Sequence, residues 1–115
     1  MEGRAQTDFR IYTQVEKFPK KEQFRLTSQI ERAAVSITSN IAEVFSRYYF
    51  KDKMRFYYMA RGSVSEVKNL LIIAKDLHYI ENKLHDELIE QGNSVQALIN
   101  GLINSISKQL SKSTI

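Results

Sequence analysis

Apolar residues along the chain recur at steps of three and four, the spacing that lines one face of an α-helix. Leu26, Ile30, Ala33, Ala34, Ile37, Ile41, Val44 and Phe45 form one such stripe. Phe56, Ala60, Ser63, Val67, Leu70, Ala74 and Leu77 form a second, and Leu84, Leu88, Val95, Leu98, Leu102, Ile106 and Leu110 a third. Phe9, Ile11, Tyr12 and Val15 suit a shorter helix ahead of them. The only proline, Pro19, stands in Phe18-Pro19-Lys20-Lys21-Glu22. Proline suits a first helical turn and biases the residue before it away from helix, so a break is expected there. The pattern predicts helices over about residues 7–17, 20–46, 51–77 and 82–110. Leu77-His78-Tyr79-Ile80-Glu81-Asn82 interrupts the period and reads as a turn. Gly92-Asn93 marks a bend or break in the last helix, because glycine there costs about 1 kcal/mol relative to alanine. No segment alternates with the period of a strand.

Four helices with short connections become antiparallel neighbours, so the expected fold is an all-α, up-down-up-down four-helix bundle in a single domain. The chain has 115 residues, enough to bury about two-thirds of its unfolded surface in one core. It has no cysteine, which excludes a disulfide framework, thiolate metal sites and a cysteine nucleophile. The longest apolar run, Leu70-Leu71-Ile72-Ile73-Ala74, is far short of the roughly 20 residues of a membrane span. Met1 to Gln6 has no apolar stretch like that of a secretion signal. The expectation is a soluble, cytoplasmic protein with no membrane partner. Leu98-Ile99 and Leu102-Ile103, with Val35 and Ala42 beside the main stripe of the second predicted helix, widen the apolar sectors beyond one seam and point to self-association.

Projected on a helix, Gln29, Arg32, Ser36, Asn40, Glu43 and Arg47 share one sector. Glu43 and Arg47 are four apart with the carboxylate first, the favourable order, and Glu66 on the next helix can reach Arg32 or Asn40. Arg32, Asn40, Glu43 and Glu66 are therefore read as a structural polar network at a packed seam. The rival is a catalytic or metal-binding carboxylate pair. A di-metal bundle needs Glu-x-x-His on two of its helices; this chain has none, and His78 and His85 lie at the far end from Glu43. There is no glycine-rich strand-to-helix loop for phosphate and no Gly-x-Ser-x-Gly elbow. Gly62-Ser63 inside a helix reads as a close contact with Ala33-Ala34 or Ser36. No catalytic residue, metal, cofactor or small-molecule substrate is expected, and the protein is read as non-enzymatic.

Charge changes the picture. From Arg47 to Arg61 five basic side chains (Arg47, Lys51, Lys53, Arg55, Arg61) face the single acid Asp52, a local excess that equals the net +4 of the whole chain. From Asp76 to Glu90 five acids face Lys83 alone. The molecule should be electrically polar. Cations at a helix N-terminus oppose its macrodipole by about 0.3–1 kcal/mol each, so local helix stability does not explain Lys51, Lys53 and Arg55; solvation, subunit contact or anion binding would. Tyr48, Tyr49 and Tyr57 are interleaved with these cations and can stack on unpaired bases. Arg47, Lys51, Lys53, Arg55, Arg61, Tyr48, Tyr49 and Tyr57 are the candidate nucleic-acid-binding residues. The competing reading puts part of these rings in the core.

Phe18-Pro19-x-x-Glu22-x-Phe24-x-Leu26-x-x-Gln29-Ile30, then Arg32-Ala33-Ala34-x-Ser36-Ile37, Asn40-Ile41-Ala42-Glu43 and Ala60-x-Gly62-Ser63-x-x-Glu66 form an ordered pattern. It resembles the small bacterial four helix bundle family, also called the 23S rRNA-intervening-sequence protein family, most strongly from Phe18 to Glu66. The resemblance implies a four-helix bundle assembled as a ring-like homopentamer. It also implies an association with ribosomal RNA genes and a kinship with the accessory proteins of diversity-generating retroelements. Val44 stands where the family usually has glycine, which argues that the second helix continues; the first helix lacks the family's usual tryptophan. The combined expectation is a homo-oligomer that binds RNA through its basic-aromatic end. The alternative is a protein-interaction scaffold or accessory subunit of a nucleoprotein enzyme with no direct RNA binding.

Overall fold

The computed structural model describes residues 11–113. Among them the chain is helical throughout, with no strand: a stretch over 11–16 (α1), a 3-10 turn at Lys20–Glu22, then α2 (Leu26–Ser46), α3 (Phe50–Asp76) and α4 (Asn82–Ser113). Residues 7–10 of the predicted first helix lie outside the described residues. The molecule is a rod of 55 × 25 × 24 Å.

α3 is the central element and packs on both α2 and α4. Lys53 Nζ donates to Val44 O at 2.9 Å, Ser63 Oγ to Ser36 Oγ at 2.8 Å, and Arg32 lies 3.6 Å from Glu66. Moving up α3 thus moves down α2. On the other side Arg61 Nη1 donates to Asn100 Oδ1 at 3.1 Å, and Lys68 Nζ to Gln96 Oε1 at 2.6 Å and Asn93 Oδ1 at 2.8 Å. The same reversal holds against α4.

The interior divides into two clusters along the rod. One joins Val15, Phe18, Ile30, Ala34, Leu71 and Leu88 near the α3–α4 turn; the other joins Val44, Phe56, Tyr57, Val64, Ile99 and Ile103 toward the α2–α3 turn. Burial at about 25 cal/mol per Å² of apolar surface drives both. In α4 the deepest residues are Ile99 and Leu88, with Ile103 also buried, whereas Leu98, expected on the stripe, is 64% exposed. The phase is set by Leu88, Gly92, Val95 and Ile99, and glycine at one of these positions hides the stripe from a search for apolar residues. α4 runs through Gly92-Asn93 without a break. A methyl group on Gly92 would lie 3.1 Å from Lys68 Cγ. The missing side chain lets the Lys68 stem lie across α4 and present its ammonium to Asn93 and Gln96.

The second helix was expected from about residue 20, but α2 begins at Leu26. Glu22, Gln23 and Arg25 each donate their N–H three residues back, to Pro19, Lys20 and Glu22. These short-range bonds wind the segment too tightly for an α-helix, and the four-residue ladder starts only with Gln29 N–H to Arg25 O. The turn turns Glu22 inward, where its carboxylate accepts the Tyr79 hydroxyl at 2.7 Å. The Tyr79 ring also meets Phe18, with centroids 5.4 Å apart.

The end of α3 shows why Tyr79 is so well placed. Tyr79 N–H bonds to Ala74 O and His78 N–H to Lys75 O, both at 2.9 Å, the paired bonds of a Schellman closure. His78 takes the left-handed position with φ 64°, one that disfavours any side chain. His78→Gly should therefore raise the unfolding free energy by about 0.5–1 kcal/mol, measured by urea denaturation.

Tyr79 and Tyr57 both have phenol pKa values above the ordinary range, Tyr79 chiefly through its bond to Glu22 and Tyr57 through burial. The fold favours the protonated phenols. Their contribution is complete below the unfolded value near 10 and is lost as pH rises through the folded values. Thermal midpoints should fall progressively above about pH 10, and Tyr79→Phe should shrink that fall.

Candidate nucleic-acid interface

The basic end is built by the short connection between α2 and α3. Arg47 and Tyr49 are both extended, with φ/ψ of −97/142° and −87/140°. Successive side chains of an extended segment leave in opposite directions. Arg47 folds back to Glu43 Oε2 at 2.9 Å and lies 4.7 Å from the Phe56 ring centre. Tyr48 and Tyr49 project from the tip at 87% and 68% exposure. Their rings meet edge to face, centroids 5.1 Å apart at 83°.

The remaining candidates divide. Lys51 and Arg55 are exposed, and Arg55 sits 4.7 Å from the centre of the same Phe56 ring. Phe56 is itself buried, so one core ring carries two guanidinium groups, a platform the sequence pattern did not single out. Lys53 turns back to Val44 O in the last turn of α2. It lies at the positive end of α3 but serves the negative end of α2, so helix stability does account for this cation. Arg61 is drawn from the tip, roughly 16 Å along α3, to Asn100 and the Tyr58 ring. Tyr57 is 6% exposed within the second core cluster. Its ring is core and cannot receive a base. The accessible part of the candidate set is thus Arg47, Tyr48, Tyr49, Lys51 and Arg55.

The expected polar network resolves into three separate pieces. Arg32 pairs with Glu66 across α2 and α3, half-exposed. Asn40 donates to Ser36 O and Oγ, and Ser36 in turn accepts from Ser63. Glu43 holds Arg47 and Ser46 locally. Glu66 reaches Arg32 and not Asn40 because about two turns of helix, roughly 12 Å, separate the levels at which they face α3. Of the pair Gly62-Ser63, Ser63 makes the expected close contact with Ser36; Gly62 is exposed, with nothing within 4 Å of an added methyl group. Gly62→Ala should stabilise the fold by about 0.5–1 kcal/mol through helix propensity, read from the thermal midpoint.

Away from the tip, an apolar groove of about 530 Å³ runs between α2 and α4 over α3, past Ile37, Ile41, Val64, Val67, Val95 and Leu102. Phe45 and Leu98, both largely exposed, flank it. Gln91 Oε1 and His85 Nε2 are buried without a hydrogen-bond partner among the described residues. Those residues contain no group of three or more His, Asp or Glu that could hold a metal. No helix among them is long and apolar enough to cross a membrane.

These features define a small all-α protein with a charged, aromatic tip. The chain belongs to the 23S rRNA-intervening sequence protein family, whose profile matches residues 5–101. A crystal structure of a protein of unknown function from the S23 ribosomal protein family of Bacteroides thetaiotaomicron VPI-5482 has the same fold, with a TM-score of 0.77. The two are 19% identical, and the match covers 89% of this chain and 95% of that one. No curated protein matches the chain.

Proposed function

We propose that this protein is a non-enzymatic, up-down-up-down helical bundle that assembles into a ring-like homo-oligomer, a pentamer, and binds RNA through its basic-aromatic end in the bacterial cytoplasm. The observation that carries the reading is the pair Lys51 and Arg55 beside exposed Tyr48 and Tyr49. Among the described residues neither cation has a carboxylate partner, and the tyrosines' ring contact is with each other. The reversing cross-helix contacts support the topology. Exposed Tyr58 and Met59, with Ile72 and Ile73 about 20 Å further along α3, support assembly, since exposed apolar surface beyond what one chain covers marks interaction sites. A cyclic assembly would set identical tips side by side and turn each local charge excess into a multivalent cationic rim. The family's name associates it with ribosomal RNA, which supports RNA as the anion.

The test is light scattering for subunit number together with RNA titration at several salt concentrations. The reading expects a discrete oligomer and an affinity that falls as salt rises; a monomer that ignores RNA at low salt would end it. The apolar groove between α2 and α4 favours a second reading, a scaffold or accessory subunit that meets a partner protein with no direct RNA contact.

A further inference from the structure

We infer that the tip selects unpaired RNA over duplex, with Tyr48 and Tyr49 each taking one base of a splayed pair of nucleotides. The inference rests on the RNA-binding reading and narrows it to a substrate class. The decisive observation is the angle of 83° between the two rings. Bases in a duplex are parallel and already stacked on one another, so two perpendicular rings cannot both stack on a duplex, and a blunt end offers a single base face. In a single strand successive bases swivel independently about the backbone and can be splayed apart. The edge-to-face contact covers one face of one ring and leaves the others open, in keeping with the exposures of 87% and 68%.

The surrounding charges fit the same geometry. Arg47 and Arg55 each stand 4.7 Å from the centre of Phe56, so their guanidinium groups are held by the ring instead of waving in water. Lys51 follows Tyr49 by two residues. Phosphates flanking the two stacked bases would meet cations of restricted position, and phosphate contact by itself does not distinguish single strands from duplex. The cations therefore supply affinity for either form, and the tyrosines supply the preference. Among the described residues the only ring contact of either tyrosine is with the other.

The experiment compares binding of oligouridylate of about ten nucleotides with an RNA duplex of equal length. The proteins are the wild type, Tyr48→Ala/Tyr49→Ala and Tyr48→Phe/Tyr49→Phe. The alanine double variant should lose about thirtyfold or more in affinity for oligouridylate, from the usual value of base–aromatic stacking for each of two bases, with duplex binding unchanged. The phenylalanine variant should retain wild-type affinity, since it keeps the rings and loses only the hydroxyls. Intrinsic tyrosine fluorescence gives a second readout in a chain without tryptophan; oligouridylate should quench it in the wild type, and the quenching should fall in the alanine variant. Equal losses on both RNAs, or no loss on oligouridylate, would overturn the single-strand preference while leaving RNA binding intact. Wild-type protein that binds neither RNA at low salt would overturn the RNA reading and this inference with it.

Discussion

Reversing Lys51 and Arg55 to glutamate should reduce RNA affinity by about tenfold or more and flatten its dependence on salt. Each phosphate contact to a single strand releases counterions worth about 0.7 in the slope of log affinity against log salt. Losing two contacts per protomer should therefore lower that slope by about 1.4. The variant separates binding from stability unusually well. Lys51 lies in the first turn of α3, where a carboxylate is favoured over an ammonium by the helix dipole. Lys51→Glu should hold or raise the thermal midpoint while binding falls. Lys53→Ala provides the contrast, because Lys53 caps Val44 O. It should cost about 0.5–1.5 kcal/mol of stability with a smaller change in affinity. If charge reversal leaves both affinity and slope unchanged in a salt titration, the tip is not the RNA-binding surface.

The largest stability effect is expected inside α4. Ile99→Ala should destabilise the protein by about 2–5 kcal/mol, because a fully buried isoleucine leaves a cavity that packed neighbours only partly fill. For a chain of this size that corresponds to a fall in thermal midpoint of roughly 10–30 °C. Leu98→Ala, one position earlier, should change the midpoint by only a few degrees, since Leu98 is mostly exposed. The pair tests the phase of α4 directly by thermal denaturation. Equal losses at the two positions would place Leu98 in contact with something the single chain does not supply, which an accompanying loss of oligomer in light scattering would identify as another protomer.

Much of the architecture was legible because helical periodicity is local. The stripe Leu26, Ile30, Ala33, Ala34 is buried in α2, as is Ala60, Val67, Leu70, Ala74 in α3. The turn predicted at Leu77 to Asn82 is where α3 gives way to α4. The ordered motifs from Phe18 to Glu66 were enough to point to the family. Failures came where a residue's role depends on a partner distant in sequence. Phe45 and Leu77 sit in helical register with core residues yet are exposed at the helix ends, where the other described helices leave them uncovered. Of the pair Gly62-Ser63, expected to meet Ala33-Ala34 or Ser36, Ser63 makes the contact with Ser36 and Gly62 takes no part. Glu22 belonged to the motif, but nothing in its surroundings announced the hydroxyl of Tyr79 as its partner, 57 residues away.

By itself, the amino-acid sequence determined that the protein is all helix, where most of the helices run, and that one end carries positive charge and the other negative. These follow from side-chain spacing and from ionisable groups that keep their charge wherever they are placed. Only the tertiary structure decided which cations at the basic end are free and which are already engaged, that Tyr57 is core while Tyr48 and Tyr49 stand in water, and that Gly92 makes room for the Lys68 stem. Adjacent residues on one helix face different directions, and whether a direction leads to solvent or to another helix is set by elements tens of residues away. Periodicity reports the face of a helix; exposure is a property of what the rest of the chain has packed against it.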